Sequence, residues 1–123
     1  MNSDYIVCKR SRYIEDFRRF MKYFKREQIH VVDGDALTKD PLPELRKIER
    51  FLGLEHPFND NDVYFDERKG FYCVRKEGQG VCLGREKGRP HPKVDDNVVK
   101  KLKEYFKPFN QEFYEAVGHN FKW

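Results

Sequence analysis

The chain has 123 residues, 38% hydrophobic and 37% charged, with a net charge of +4 and a pI near 8.9. That length favours one compact unit, and no apolar run is long enough for a helical membrane span. The opening "MNSDYIVCKRSRYIEDF" lacks the basic start and apolar core of a signal peptide, which by itself points to the cytosol.

Residues 12–24, "RYIEDFRRFMKYF", place Tyr13, Phe17, Phe20, Met21 and Phe24 at helical spacing. Arg12, Arg18, Arg19 and Lys22 cover the other side, so the reading is an amphipathic helix with a solvated basic face. Ile29–Val32 is β-branched apart from His30, and Asp33–Gly34 ends it like a turn. This predicts a short buried strand, of the kind that runs parallel inside an α/β layer. Asp33 and Asp35 at its end read as turn and capping residues rather than ligand contacts.

"KDPLPELRKIERFLGL" predicts a helix. Asp40 caps it, Pro41 opens it, and Gly53 stops it. Leu45, Ile48, Phe51 and Leu52 form its expected buried stripe. "DVYFDERKGFYCVRKEGQGVCL" then reads as an antiparallel hairpin region with two turns. Asp95 or Asp96 caps another helix with an apolar face at Val98, Val99, Leu102, Tyr105 and Phe106. Pro108 is expected to break or kink it. Phe109, Phe113, Tyr114 and Val117 carry a second helical face, which Gly118 closes.

Cys73 and Cys82 flank a turn built around Gly78 and Gly80, a spacing that allows a disulfide across a hairpin. Two unrelated cytosolic thiols are the alternative reading. Zinc is disfavoured, because two cysteines without a second pair do not complete four ligands. Cys8 is left over as a free thiol. The run "CLGREKGRPHPKVD" concentrates Arg85, Lys87, Arg89, His91 and Lys93 around Gly88 and two prolines. Glycine lets backbone amides approach an anion while the long cations close on it, although solvated charge explains such loops too. The chain has no Walker sequence, no nucleophile elbow and no His/Glu metal cluster.

The order of these features is specific. "HVVDGDALTKDPLPELRKIERFLGL", "YFDERKGFYCV", "CLGREKGRPHPKVD" and "LKEYFKPFNQEFYEAVGHNFKW" together resemble the C-terminal part of the heparan sulfate glucosamine 3-O-sulfotransferases, from about Val7 onward. "KGRPHP" looks like the 3-O form of the loop; the related N-sulfotransferases are expected to carry tyrosine where His91 stands. The resemblance implies an α/β sulfotransferase fold of the P-loop-kinase kind. Residues 1–123 would be its C-terminal part: helices, a short parallel strand and a disulfide-linked antiparallel hairpin. It implies 3'-phosphoadenosine 5'-phosphosulfate as sulfate donor, with Tyr72, Lys87, Gly88, Arg89, Pro90 and His91 as donor contacts. It further implies a Cys73–Cys82 disulfide, a Golgi-lumen location in place of the cytosol, and no metal.

The family's phosphate loop, its glutamate base and its contacts to the donor's 3'-phosphate lie upstream of the matching region. No catalytic residue is therefore assigned within these 123 residues, and they are expected to be inactive alone. The partners implied are the nucleotide donor and heparan sulfate or a related glycosaminoglycan, not nucleic acid. An N-sulfotransferase relative, a non-catalytic polysaccharide-binding module and a cytosolic nucleic-acid binder stay open as alternatives. Val81 stands where some relatives carry a basic residue, which leaves acceptor preference open.

Overall fold

The computed structural model describes residues 5–55, 59–84 and 92–123. Its elements are helices and one small antiparallel sheet, divided between two units: Met1–Ile29 with Pro92–Trp123, and His30–His91.

The first unit is helical. A short helix α1 (Ile6–Arg10) precedes α2 (Tyr13–Phe20), which ends earlier than the apolar spacing predicts. Tighter turns follow it, with Lys22 N–H donating to Arg19 and Tyr23 N–H to Phe20. Phe20, Tyr23 and Phe24 are consequently exposed. Asp95 caps the long helix here numbered α5 (Asp96–Val117), its side chain accepting from Asn97 N–H at 2.7 Å. Gly118 ends this helix at φ 74°, the left-handed conformation that favours glycine. Pro108 does not break it: the helix runs unbroken across that position.

Packing explains why α2 and α5 pair. Ile14 and Phe17 are buried on α2, Phe113 on α5, and Phe121 beyond it. Phe17 meets Phe113 edge to face at 5.7 Å, and Phe113 stacks on Phe121 at 5.8 Å. Arg12 donates to the Tyr105 hydroxyl and lies 4.8 Å from the Phe109 ring centroid. The Tyr105 hydrogen bond, then Glu15, raises the Arg12 pKa. Arg26 donates to the Val117 carbonyl at 2.9 Å, one of the acceptors left unpaired at a helix C-terminus.

Among the described residues, the second unit carries two α-helices, a short 3-10 helix at Asp60–Asp62, and the sheet. The strand predicted at Ile29–Val32 is not formed. Ile29 and Asp33 have extended backbones, but no described residue pairs with the segment. Hydrophobicity favours burial of such a run; a strand also needs a hydrogen-bonded neighbour. Asp33 caps a helix the sequence reading missed, α3 (Gly34–Lys39), by accepting from Asp35 and Ala36 N–H, both at 3.0 Å.

Helix α4 (Pro41–Leu52) has the expected Pro41 start and Gly53 end, with Gly53 at φ 67°. Its buried side differs from the predicted stripe. Phe51 and Leu52 are exposed, whereas Glu44 and Glu49 are each only 3% exposed. Each carboxylate is held from within the helix: Lys47 pairs with Glu44, and Arg46 donates to Glu49 at 2.7 Å. Arg46 also reaches Asp60 at 2.7 Å; the Glu49 bond first, then Asp60, raises its pKa.

The sheet comprises β1 (Val63–Asp66), β2 (Phe71–Lys76) and β3 (Gln79–Val81), in the order β1-β2-β3. Tyr64 pairs with Cys73 and Phe65 with Tyr72; Val74 pairs with Val81. The β2–β3 link is the two-residue loop Glu77–Gly78, both at positive φ, as the right-handed twist of a tight hairpin requires.

Candidate functional site

The alternation of β2 sorts its side chains onto two faces. On one face Cys73 is 3% exposed and disulfide-bonded to Cys82, with Cα atoms 4.7 Å apart. The Tyr64 hydroxyl lies 3.6 Å from Cys82 Sγ. Gly80 has no side chain because Tyr64 occupies the space: a Cβ there would lie 2.2 Å from the hydroxyl oxygen. Arg75 covers the Tyr64 ring at 4.5 Å and donates to the Asn61 carbonyl. The hairpin is thus fixed by a covalent bond and by a tyrosine wedge against glycine.

Tyr72 sits on the other face, immediately before the bonded cysteine. It is half-buried, and its ring meets Phe65 edge to face at 5.2 Å. It lines a cavity of about 440 Å³, walled by Leu37 and Thr38 of α3, Leu45 of α4, and Val63 and Val74 of the sheet. Leu83, just beyond the disulfide, completes the wall, and its carbonyl accepts from Lys69 Nζ at 3.3 Å. The lining is mainly apolar, with a tyrosine edge and a threonine. Such a lining supplies apolar surface and little charge of its own.

Of the sequence-predicted donor contacts, Tyr72 is therefore placed at a cavity wall. Lys87, Gly88, Arg89, Pro90 and His91 lie outside the described residues. The disulfide expected from the resemblance is formed, and Cys8 is free and buried. The α3 wall went unread because the segment looked like a turn. Its signal was Asp33, whose capping role was recognised without the helix it caps.

The sulfotransferase domain family matches residues 6–122 of the chain. Heparan sulfate glucosamine 3-O-sulfotransferase 5 of Homo sapiens is 44% identical over 124 residues, covering 100% of this chain and 36% of that protein. Its Mus musculus counterpart is 43% identical with the same coverage. Heparan sulfate glucosamine 3-O-sulfotransferase 3B1 of Homo sapiens is 40% identical over 114 residues, 90% of this chain and 29% of that protein. The chain thus spans about a third of the length of these curated relatives.

Proposed function

Since the chain belongs to the sulfotransferase domain family, we propose that it forms the part of a heparan sulfate glucosamine 3-O-sulfotransferase that closes around the sulfate donor. The observation that carries this reading is Tyr72, held at the cavity wall between Phe65 and the bonded Cys73. The donor is 3'-phosphoadenosine 5'-phosphosulfate, and the whole enzyme has an α/β fold of the P-loop-kinase kind. Tyr72 packs its ring edge against the nucleotide base. Lys87 and Arg89 hold the phosphates, Gly88 admits them close to the backbone, and Pro90 and His91 complete the contacts.

The donor supplies an activated sulfonate. The acceptor's 3-hydroxyl oxygen forms a new bond to sulfur as the bond from sulfur to the phosphate oxygen breaks. The hydroxyl proton passes to a base outside the residues named here, and negative charge grows on the departing phosphate. Lys87 and Arg89 stabilise that growing charge, which is where fixed cations lower a barrier most. The acceptor is a heparan sulfate chain, which the net positive charge steers inward. The disulfide fits an oxidising compartment, here the Golgi lumen.

The test is transfer of radiolabelled sulfonate from the donor to heparan sulfate by the full-length protein that carries these residues, followed by disaccharide analysis of the product. Label on the glucosamine 3-oxygen is expected; label on the amine would assign the protein to the N-sulfotransferases instead. Tyr72→Ala should raise the donor KM by about tenfold, the loss of one aromatic packing contact, while saccharide affinity stays unchanged. An unchanged donor KM would remove Tyr72 from the site.

A further inference from the structure

A second cleft lies wholly within the helical unit. It measures about 600 Å³ and runs along α5 beneath residues 119–123. Its far wall is fixed: Phe121 is buried against Phe113 and Tyr114, and Trp123 N–H donates to the Tyr114 hydroxyl at 3.1 Å. Lys122 takes a left-handed backbone, φ 61°, and its N–H is held by Asn120 Oδ1 at 2.9 Å. A non-glycine residue in that conformation is held there by its surroundings.

Lys103 and Lys107 line the cleft from α5, and Lys122 from the opposite wall. Lys100 continues the row one turn earlier, so the α5 lysines extend over about 10 Å at 1.5 Å per residue. None of these four forms an ion pair among the described residues. Glu104 and Glu115 also face the cleft and lower its net charge without cancelling it. Asn110 and Gln111 line the cleft further along α5, beyond Lys107. Beside them are Tyr114 and a Trp123 side chain that remains substantially exposed.

We propose that this cleft binds a sulfated oligosaccharide. Unpaired lysines meet sulfate and carboxylate groups, amides meet hydroxyls, and aromatic edges meet the apolar faces of sugar rings. The saccharide rather than another polyanion rests on the sulfotransferase reading above. The cleft's cations are few and interrupted by Glu104 and Glu115, which suits a ligand whose anionic groups are separated by hydroxyls better than the continuous phosphate backbone of a duplex.

The test measures binding of a defined heparin hexasaccharide to the native protein by calorimetry, without donor present. Lys103→Gln with Lys107→Gln should weaken binding by about threefold to tenfold, the range for two exposed charge pairs at low salt, and the weakening should shrink as salt rises. Both residues are exposed, so the melting temperature should not move; Trp123→Phe, at an aromatic position, should weaken binding independently of salt. Unchanged hexasaccharide affinity in the double-lysine variant overturns the proposal, as does equal competition by a single-stranded oligonucleotide of matched charge. The two readings fail separately. Loss of affinity in that variant, with no sulfonate transfer by the full-length protein, would overturn the function and keep the cleft; donor use by the full-length protein that depends on Tyr72, with unchanged hexasaccharide affinity, would do the reverse.

Discussion

Replacing Cys73 and Cys82 together by alanine removes a cross-link between residues nine apart in sequence. The folded hairpin retains its other restraints, since Val74, Arg75 and Lys76 still pair with Val81, Gly80 and Gln79. The loss therefore falls mainly on the unfolded chain, which regains the freedom the loop denied it. For a closed loop of about 10 residues the chain-entropy relation gives about 9 cal/mol/K, or about 2.7 kcal/mol at 25 °C. Cys73 is buried, so removing its sulfur adds a small cavity, on the order of 1 kcal/mol. The expected destabilisation of the native protein is thus about 3–4 kcal/mol. Guanidinium unfolding followed by circular dichroism measures it as a lower midpoint, with a slightly larger slope because the released chain exposes more surface. Cys8→Ala serves as the control for losing a buried sulfur without a cross-link. A loss below about 1 kcal/mol would refute the entropic argument. So would finding Cys73 and Cys82 reactive toward a thiol reagent in denatured, unreduced protein.

Phe113→Ala should cost about 3–5 kcal/mol, the range for a buried aromatic truncation. Its ring joins α2 to the segment after α5 through Phe17, Phe121 and Trp123, and calorimetric melting of the variant measures the loss. Gly118→Ala places a Cβ at φ 74° and should cost about 1 kcal/mol, read from denaturant midpoints. No neighbouring atom lies within 4 Å of that Cβ, so a much larger loss would mean that sterics rather than backbone conformation set the cost.

The parts of the fold legible in the sequence were those set by neighbours along the chain. Asp95, Gly53 and Gly118 sit where their caps were expected, because a cap needs only the turn beside it. The hairpin was legible for the same reason: its turn residues and strand residues are contiguous. The Ile29–Val32 strand failed because pairing depends on a partner far along the chain. The α4 stripe failed because Glu44 and Glu49 bury themselves with Lys47 and Arg46 three residues before or after them, which a hydrophobic pattern counts as surface. Helix α3, only six residues long, falls below the length at which periodicity speaks. The resemblance singled out Tyr72 by its place before Cys73; the cavity that Tyr72 lines was not legible, since α3 contributes part of that wall.

The sulfur chemistry shows how one contact settles an ambiguity that spacing leaves open. Asp66, Cys73 and Cys82 bring three ligand-capable atoms within 4.8 Å of one another. Taken as separate thiols and a carboxylate, they offer much of a metal site, and Asp66 lies 3.9 Å from Cys82 Sγ. But a metal takes thiolates, and the two sulfurs here are bonded to each other. That leaves Asp66 alone, and its Oδ1 already accepts from Arg68 and Lys69 N–H at 3.0 and 3.1 Å as part of the β1–β2 turn. The same carboxylate therefore shapes the turn that leads into Phe71 and Tyr72. The cysteines act on the site through position: they hold the β2–β3 hairpin closed, with Tyr72 on one side of the bond and Leu83 on the other.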